Sequence, residues 1–400
     1  MRTWEDWKRL LADVPLPAAV LDLDALDHNL GVLTGALGDG LTLRVASKSI
    51  RVPAVLRYLL DAEPRRLRGL MTFSAHETAW LAEQGFDDLL LAYPIARADE
   101  AAALARAATR AQVWAAVDDV AQARLLSAAA QGAGVTIGLC LDIDASWRPL
   151  PGVHLGVRRS PLRSAADAVA VAQACRALPG VEVNAVLAYE AQVAGLPDVA
   201  GPGLAGRATG MVKQLVKRRS IPLVARRRQQ VVAALRSEGF HVGLVNGGGS
   251  GSVASTSRDP SVTEVTAGSG FVASHLFDGY RGLPWQPALV FALAVVRQSD
   301  ADHVTCAGGG YIASGSAGPD RMPQVLSPGH LVPVDLEGWG EVQTPFRVGD
   351  GPVPALGDPV ICRHAKAGEL AERFASYLLV RGDRIVEQVP TARGLGRCFF

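Results

Sequence analysis

An α/β architecture, an eight-stranded (β/α)8 TIM barrel followed by a mainly antiparallel β domain, is what this 400-residue sequence predicts. Three observations lead there. Short, nearly continuous apolar runs recur over the first two-thirds of the chain, as a parallel sheet covered on both faces requires. Each run is followed by an Ala/Leu-rich amphipathic stretch, the alternation that builds βαβ units. From about Phe271 the texture changes to short Pro-, Gly- and Val-rich runs without a helical period.

The apolar runs are Pro17–Leu23, Thr42–Ser47, Gly69–Phe73, Asp88–Tyr93, Gln112–Val117, Thr136–Ile143, Glu182–Tyr189, His241–Asn246 and Thr263–Ala267. Helical stretches lie at Ala75–Gln84, Ala98–Ala108, Val120–Ala130, Ala165–Leu178 and Ala225–Ser237. Nine runs exceed a barrel of eight by one. Setting the first aside for another domain makes Thr42–Ser47 barrel strand one and Thr263–Ala267 strand eight. The expected division is therefore a segment 1–23 that lends a strand to the β domain, a barrel over 24–270, and a β domain over 271–400. Within the last, Ala288–Val296, His303–Cys306, His330–Val334, Pro359–Cys362 and Ser376–Val380 read as strands. The stretch Ala191–Phe240 exceeds a normal connection and carries the basic segment MVKQLVKRRSIPLVARRRQQ. It reads as a roof or interface insertion, or as a solvated basic helix face.

Composition narrows the function classes. With 49% hydrophobic and 20% charged residues the chain reads as a soluble globular protein. A balance of 40 basic against 39 acidic residues gives no reason to expect a nucleic-acid partner. No apolar stretch is long enough to cross a bilayer, and MRTWEDWKRL lacks the features of an export signal, so no membrane partner is expected. Five scattered cysteines without paired spacing read as reduced thiols, which implies the cytoplasm.

Barrel chemistry sits at the C-terminal ends of the strands. Strand one ends VASKSIRVP and puts Lys48 at the mouth. A lysine there can form a Schiff base with an aldehyde cofactor; taken alone it also reads as an exposed helix-capping residue. Strand seven runs into VNGGGSGS, so Asn246, Gly248, Gly249, Ser250, Gly251 and Ser252 offer backbone amides and hydroxyls to an anion. Gly268 and Ser269 of strand eight fall beside them, where barrels often bind phosphate. Lysine and phosphate cradle match the two ends of pyridoxal 5'-phosphate (PLP). Strand six adds Tyr189, Glu190 and Gln192, and strand five adds Asp142, Asp144 and Arg148; sequence does not fix which of these point inward.

The pattern PAAVLDLDALDHNL, then a strand ending in lysine, then SAHETAWLAEQGFDDLLLAYPIA, resembles the D-threonine aldolase and D-serine dehydratase group. These are alanine-racemase-like (fold type III) PLP enzymes, and the branch resembled is labelled amino acid deaminase/aldolase. The resemblance implies Lys48 as the Schiff-base lysine, Tyr189 beside the cofactor, Gly249, Ser250 and Gly251 around the phosphate, and Arg148 as the arginine after the strand-five aspartates. It also implies a homodimer and, near the C-terminus, a His-x-Cys or His-x-Asp pair holding a divalent metal. Here His364 is followed by Ala365 and Lys366, and a protonated lysine cannot ligate, so a metal at His364 is left open. The family's Tyr-x-Gly-His appears as Tyr189-Glu190-Ala191-Gln192, and Gly270 replaces a family tyrosine.

The function expected is a PLP-dependent lyase acting on a small D-3-hydroxy amino acid, by retro-aldol cleavage or by dehydration with deamination. Lys48 would then act as base on the substrate, with His364 or a bound metal handling the hydroxyl. The alternatives are an amino acid racemase, with Tyr280 or Tyr311 as candidate second base, and a PLP carrier without turnover.

Overall fold

The computed structural model describes residues 2–199 and 203–399. The chain enters through helix Trp4–Leu10, whose N-cap Thr3 accepts the Asp6 N–H, and then strand β1 (Ala18–Asp22). Eight parallel strands follow and close into a barrel. They are β2 (Thr42–Ala46), β3 (Leu67–Thr72), β4 (Leu89–Leu91), β5 (Val113–Val117), β6 (Ile137–Asp142), β7 (Val181–Ala188), β8 (Leu244–Gly247) and β9 (Glu264–Ala267). Closure runs through β2 and β9, with Leu43 opposite Val265. Every residue of β5 and β6 is buried, because one face fills the barrel and the other meets helices.

Helices Ala75–Glu83, Val120–Ala133 and Ala165–Cys175 start at Ser74, Asp119 and Ser164, whose side chains accept first-turn N–H groups. The insertion differs from expectation. The helix expected from Ala225 starts at Gly203 and runs 35 residues to Ser237, straight through Pro222. An interior proline costs about 3 kcal/mol. The inner face offsets it, burying Ser220, Val224, Arg228, Val231, Val232 and Leu235 against the barrel.

At the N-terminal ends of the strands, Arg44 on β2 is 1% exposed and bridges Glu264 on β9 and Asp88 just before β4, each at 2.6 Å. Removing one partner from such a buried set costs about 3–5 kcal/mol. This end of the barrel is a structural plug, which leaves the opposite mouth for chemistry.

The second sheet comprises β1 with β10 (Leu289–Gln298), β11 (His303–Ala307), β12 (Gln324–Ser327), β13 (Leu331–Pro333), β14 (Gln343–Val348), β15 (Pro359–Arg363), β16 (Ser376–Arg381) and β17 (Arg384–Pro390). Its main path runs β13-β14-β11-β10-β1-β16-β17, with β15 on β10 and β12 on β15. β1 pairs antiparallel to β10 and parallel to β16; the other pairs in this sheet are antiparallel. One hydrophobic core extends from the barrel helices into this sheet. A smaller cluster seats Trp7 and Leu11 on Val20, Val290, Ile361 and Leu378.

Candidate functional site

At the end of β2 a single 3-10 turn, Ser47–Ser49, redirects the chain. The Ser47 hydroxyl donates to the Met71 carbonyl at 3.1 Å and pins the turn to β3. Lys48 is thereby exposed at the mouth, and its Nζ donates to the Tyr93 hydroxyl at 2.7 Å. Gly368, with φ +80°, passes so close that a Cβ there would lie 1.8 Å from the Lys48 carbonyl oxygen. Only glycine fits that conformation and that gap.

Lys48 opens into a cavity of about 220 Å³. Its far wall is made by Gly248, Gly249 and Ser250 after β8, and by Gly268 and Ser269 after β9. Gly248 has φ +80° and no room for a Cβ, which would lie 2.7 Å from Val265. A Cβ on Gly249 would stand 3.0 Å from Ala194 and 3.1 Å from the Tyr189 ring, and one on Gly268 2.5 Å from the Ser49 hydroxyl. The Ser250 hydroxyl oxygen accepts N–H bonds from Gly268 (3.2 Å) and Gly270 (2.9 Å), leaving its own hydrogen to donate.

Several expected residues stand behind this wall. Ser252 is 3% exposed, accepts the Gly249 N–H at 3.1 Å and donates to Glu190 at 3.3 Å. Glu190 also accepts from Gly248 N–H at 3.1 Å, from Thr256 and from Arg228 at 3.1 Å. Arg228, on the long helix, pairs in turn with Asp259 at 2.7 Å. Asn246 borders the cavity, but its amide nitrogen donates to Glu264 and Thr266. Gly251 packs on Ala194 and Tyr280.

The side walls hold Tyr189, as expected, and two residues that sequence reading missed, Tyr93 and Arg159. The Arg159 guanidinium lies 5.5 Å from the Tyr93 ring centroid and 5.4 Å from that of Tyr189. Burial pushes the Tyr189 phenol above its usual range. Burial would raise Tyr93 too, but Lys48 and Arg159 outweigh it and hold that phenol below its usual value. Desolvation raises Asp142, at the end of β6, to about 7. Tyr93 closes the run Asp88–Tyr93, at the mouth end where barrel sites lie, so its position was a readable signal. Arg159 sits in the long loop after β6 and carried none.

Arg148 is elsewhere. It donates to Asp144 at 2.8 Å, where Arg163 also stands at 3.3 Å, and it does not border the Lys48 cavity. His364 is likewise apart, lining a separate cavity of about 470 Å³ with Tyr311, Ser314, Lys366 and Glu369. Its ring is 3% exposed, and burial pushes it down to about 3, so it is neutral. Lys366 donates to Ser314 at 2.8 Å and stands 3.5 Å from Glu369. Among the described residues His364 joins no group of three candidate metal ligands; the one such group is exposed, at Asp300, Asp302 and His303. Tyr280 donates to the Ala194 carbonyl, and neither it nor Tyr311 borders the Lys48 cavity.

Comparison with known proteins places these features in a family context. A family model described as alanine racemase, N-terminal domain, matches residues 21–272. The 3-hydroxy-D-aspartate aldolase of Paracoccus denitrificans (strain Pd 1222) is 26% identical over 262 residues, covering 64% of this chain and 60% of that protein. That match spans less than two-thirds of the relative's own length. The D-threonine aldolase of an Arthrobacter species is 24% identical over 323 residues, covering 78% of this chain and 76% of the other. In structure, the D-threonine aldolase from Filomicrobium marinum superposes with a TM-score of 0.79 at 22% identity, covering 98% of this chain and 99% of that one. This likeness establishes the fold.

Proposed function

The chain belongs to the alanine racemase N-terminal domain family, and on that premise we propose that it is a PLP-dependent lyase cleaving a D-3-hydroxy amino acid. One observation carries the reading: a lysine and a glycine-serine anion cradle face each other across a single cavity at the barrel mouth. The cradle suits a phosphate because its glycines leave empty the space that Cβ atoms would fill, and its serine hydroxyl has a hydrogen to donate. The aldolase names of the relatives favour retro-aldol cleavage, to glycine and an aldehyde, over dehydration.

In this assignment the Ser250 hydroxyl, Ser269 and the glycine turns after β8 and β9 enclose the phosphate, while the Gly248, Gly249 and Gly268 N–H groups brace the wall itself. Lys48 supplies the amine that carries the aldehyde. Tyr189, wedged against Gly249, packs beside the ring. When bound, PLP supplies an electron sink for the charge released as a bond to the substrate α-carbon breaks. Arg159, the exposed cation over both tyrosines, binds the substrate carboxylate. Asn246, Ser252, Glu190 and Arg228 act one layer back, fixing the loop that forms the cradle. His364 is assigned a packing role outside this cavity.

The barrel that binds the cofactor is assigned to residues 24–270, and residues 1–23 with 271–400 to the β domain. A homodimer and a cytoplasmic setting complete the proposal. Cys140, Cys175, Cys306 and Cys362 are buried and form no disulfide, which supports a reducing compartment, and among the described residues no helix is long and apolar enough to cross a membrane.

Incubation with D-threonine and with D-3-hydroxyaspartate, following aldehyde, glycine and ammonia, tests the reading. Glycine with an equimolar aldehyde is expected. Ammonia with a keto acid would make dehydration the reaction, and loss of optical activity without new product would make it racemisation.

A further inference from the structure

Within the Lys48 cavity one contact has no part in the assignment above. Among the described residues, the Lys48 amine has a single hydrogen-bond partner, the Tyr93 hydroxyl at 2.7 Å. Tyr93 follows β4 at the mouth and is half-buried. The charged and titratable groups facing it come from three directions. Lys48 arrives from β2, Arg159 from the loop after β6, and Asp142 and Tyr189 from the ends of β6 and β7. Two cations thus flank one phenol.

We infer that Tyr93 is a catalytic residue that takes the proton from the Lys48 ammonium, freeing the amine to bond to carbon, and then gives it up to bulk water so that the phenolate is restored. This rests on the lyase reading, since it gives the lysine its working form. An ammonium has no lone pair, so Lys48 must lose a proton before its nitrogen can bond to carbon. In the transfer one Nζ–H bond breaks, its electron pair stays on nitrogen, and the proton joins the phenolate oxygen. Ammonium and phenolate become amine and phenol. The pair is neutral before and after, so no net charge is created in a half-buried cavity, where an isolated charge would be costly. Arg159 favours the phenolate from the opposite side, and burial works against it; the cations prevail and the phenol sits low. Arg159 is a positioning residue in this respect, acting on the proton through Tyr93.

The test uses the full-length protein with and without PLP. Tyr93→Phe keeps the ring and removes the oxygen. The inference predicts that the variant still takes up PLP but loses roughly 100-fold or more in kcat, the usual scale of a general acid-base group. A second readout is independent of turnover. Near-ultraviolet phenolate absorbance of the wild type, which has six tyrosines, should show one group titrating below the usual value of about 10. Tyr93→Phe should abolish that step, and Arg159→Met should move it upward. A variant that keeps kcat within about twofold, or a low-pH phenolate step that survives Tyr93→Phe, overturns the inference. If Tyr93→Phe does not fold, an Arg159→Met titration identical to wild type overturns it instead. A wild-type protein that takes no PLP would sink the lyase reading, while the phenolate titration would still judge the Lys48–Tyr93 pair.

Discussion

Arg228→Met removes a buried cation from behind the candidate phosphate loop while keeping most of its volume. The Arg228 guanidinium is 2% exposed and donates to Asp259 (2.7 Å), the Ala188 carbonyl (2.9 Å) and Glu190 (3.1 Å). Both carboxylates keep other donors in the variant. Glu190 retains Gly248, Ser252 and Thr256, and Asp259 retains Gln229 and Ser261. What they lose is their counterion. Stranding a buried charge costs about 3–5 kcal/mol, and the surviving hydrogen bonds put the loss near the lower end, about 3 kcal/mol. Against a total of about 5–15 kcal/mol this is large. It should also depend on pH. Without the guanidinium the two buried carboxylates carry uncompensated charge, a cost that acid relieves. Urea unfolding followed at pH 8 and pH 5 should show a larger deficit at pH 8. A deficit below about 1 kcal/mol at pH 8, or one equal at both values, would refute the argument that this network is held by its charge.

Two further substitutions probe the cradle and the second cavity. Gly249→Ala places a methyl 3.0 Å from Ala194 and 3.1 Å from the Tyr189 ring. Overpacking of this kind costs about 1–3 kcal/mol, so PLP affinity in an absorbance titration should drop about tenfold or more; unchanged affinity would remove Gly249 from the cradle. His364→Leu replaces a buried imidazole whose two ring nitrogens have no hydrogen-bond partner of normal geometry among the described residues, and should leave stability at pH 7 unchanged or raised. With the native His364 pushed down to about 3, the unfolded chain binds its proton first, so native stability falls as pH drops from about 6.5 towards 3. The variant should lose about 1.4 kcal/mol per pH unit of that slope; an unaltered acid limb in chemical denaturation would contradict a neutral His364.

The barrel was readable because its strands are covered on both faces. Runs such as VWAAV and IGLCL show no polar alternation, and the helices between them have clear N-caps at Ser74, Asp119 and Ser164. Lys48 and the Gly248–Ser250 turn were readable through position, since strand ends near the mouth could be counted off. Other features escaped for physical reasons. β14 carries Pro345 and β17 is a largely exposed, polar edge strand, so neither has a strand's apolar signature. The long helix crosses Pro222 because tertiary burial of Val224, Val231 and Leu235 overrides a local stop signal. Arg148 lies close to the strand-five aspartates in sequence, and pairing with Asp144 takes it out of the cavity; Arg159, eleven positions later, is returned to the mouth by a loop that has no period to read. The Glu190–Arg228 pair joins residues 38 apart, a separation that no local pattern encodes.

The most direct test is spectroscopic. Purified protein incubated with PLP should turn yellow, bleach on borohydride treatment, and retain the reduced cofactor on a peptide containing residue 48. Lys48→Ala should do none of these. A wild-type protein that stays colourless in excess PLP, or a Lys48→Ala variant that fixes the cofactor as well as the wild type, would contradict the account.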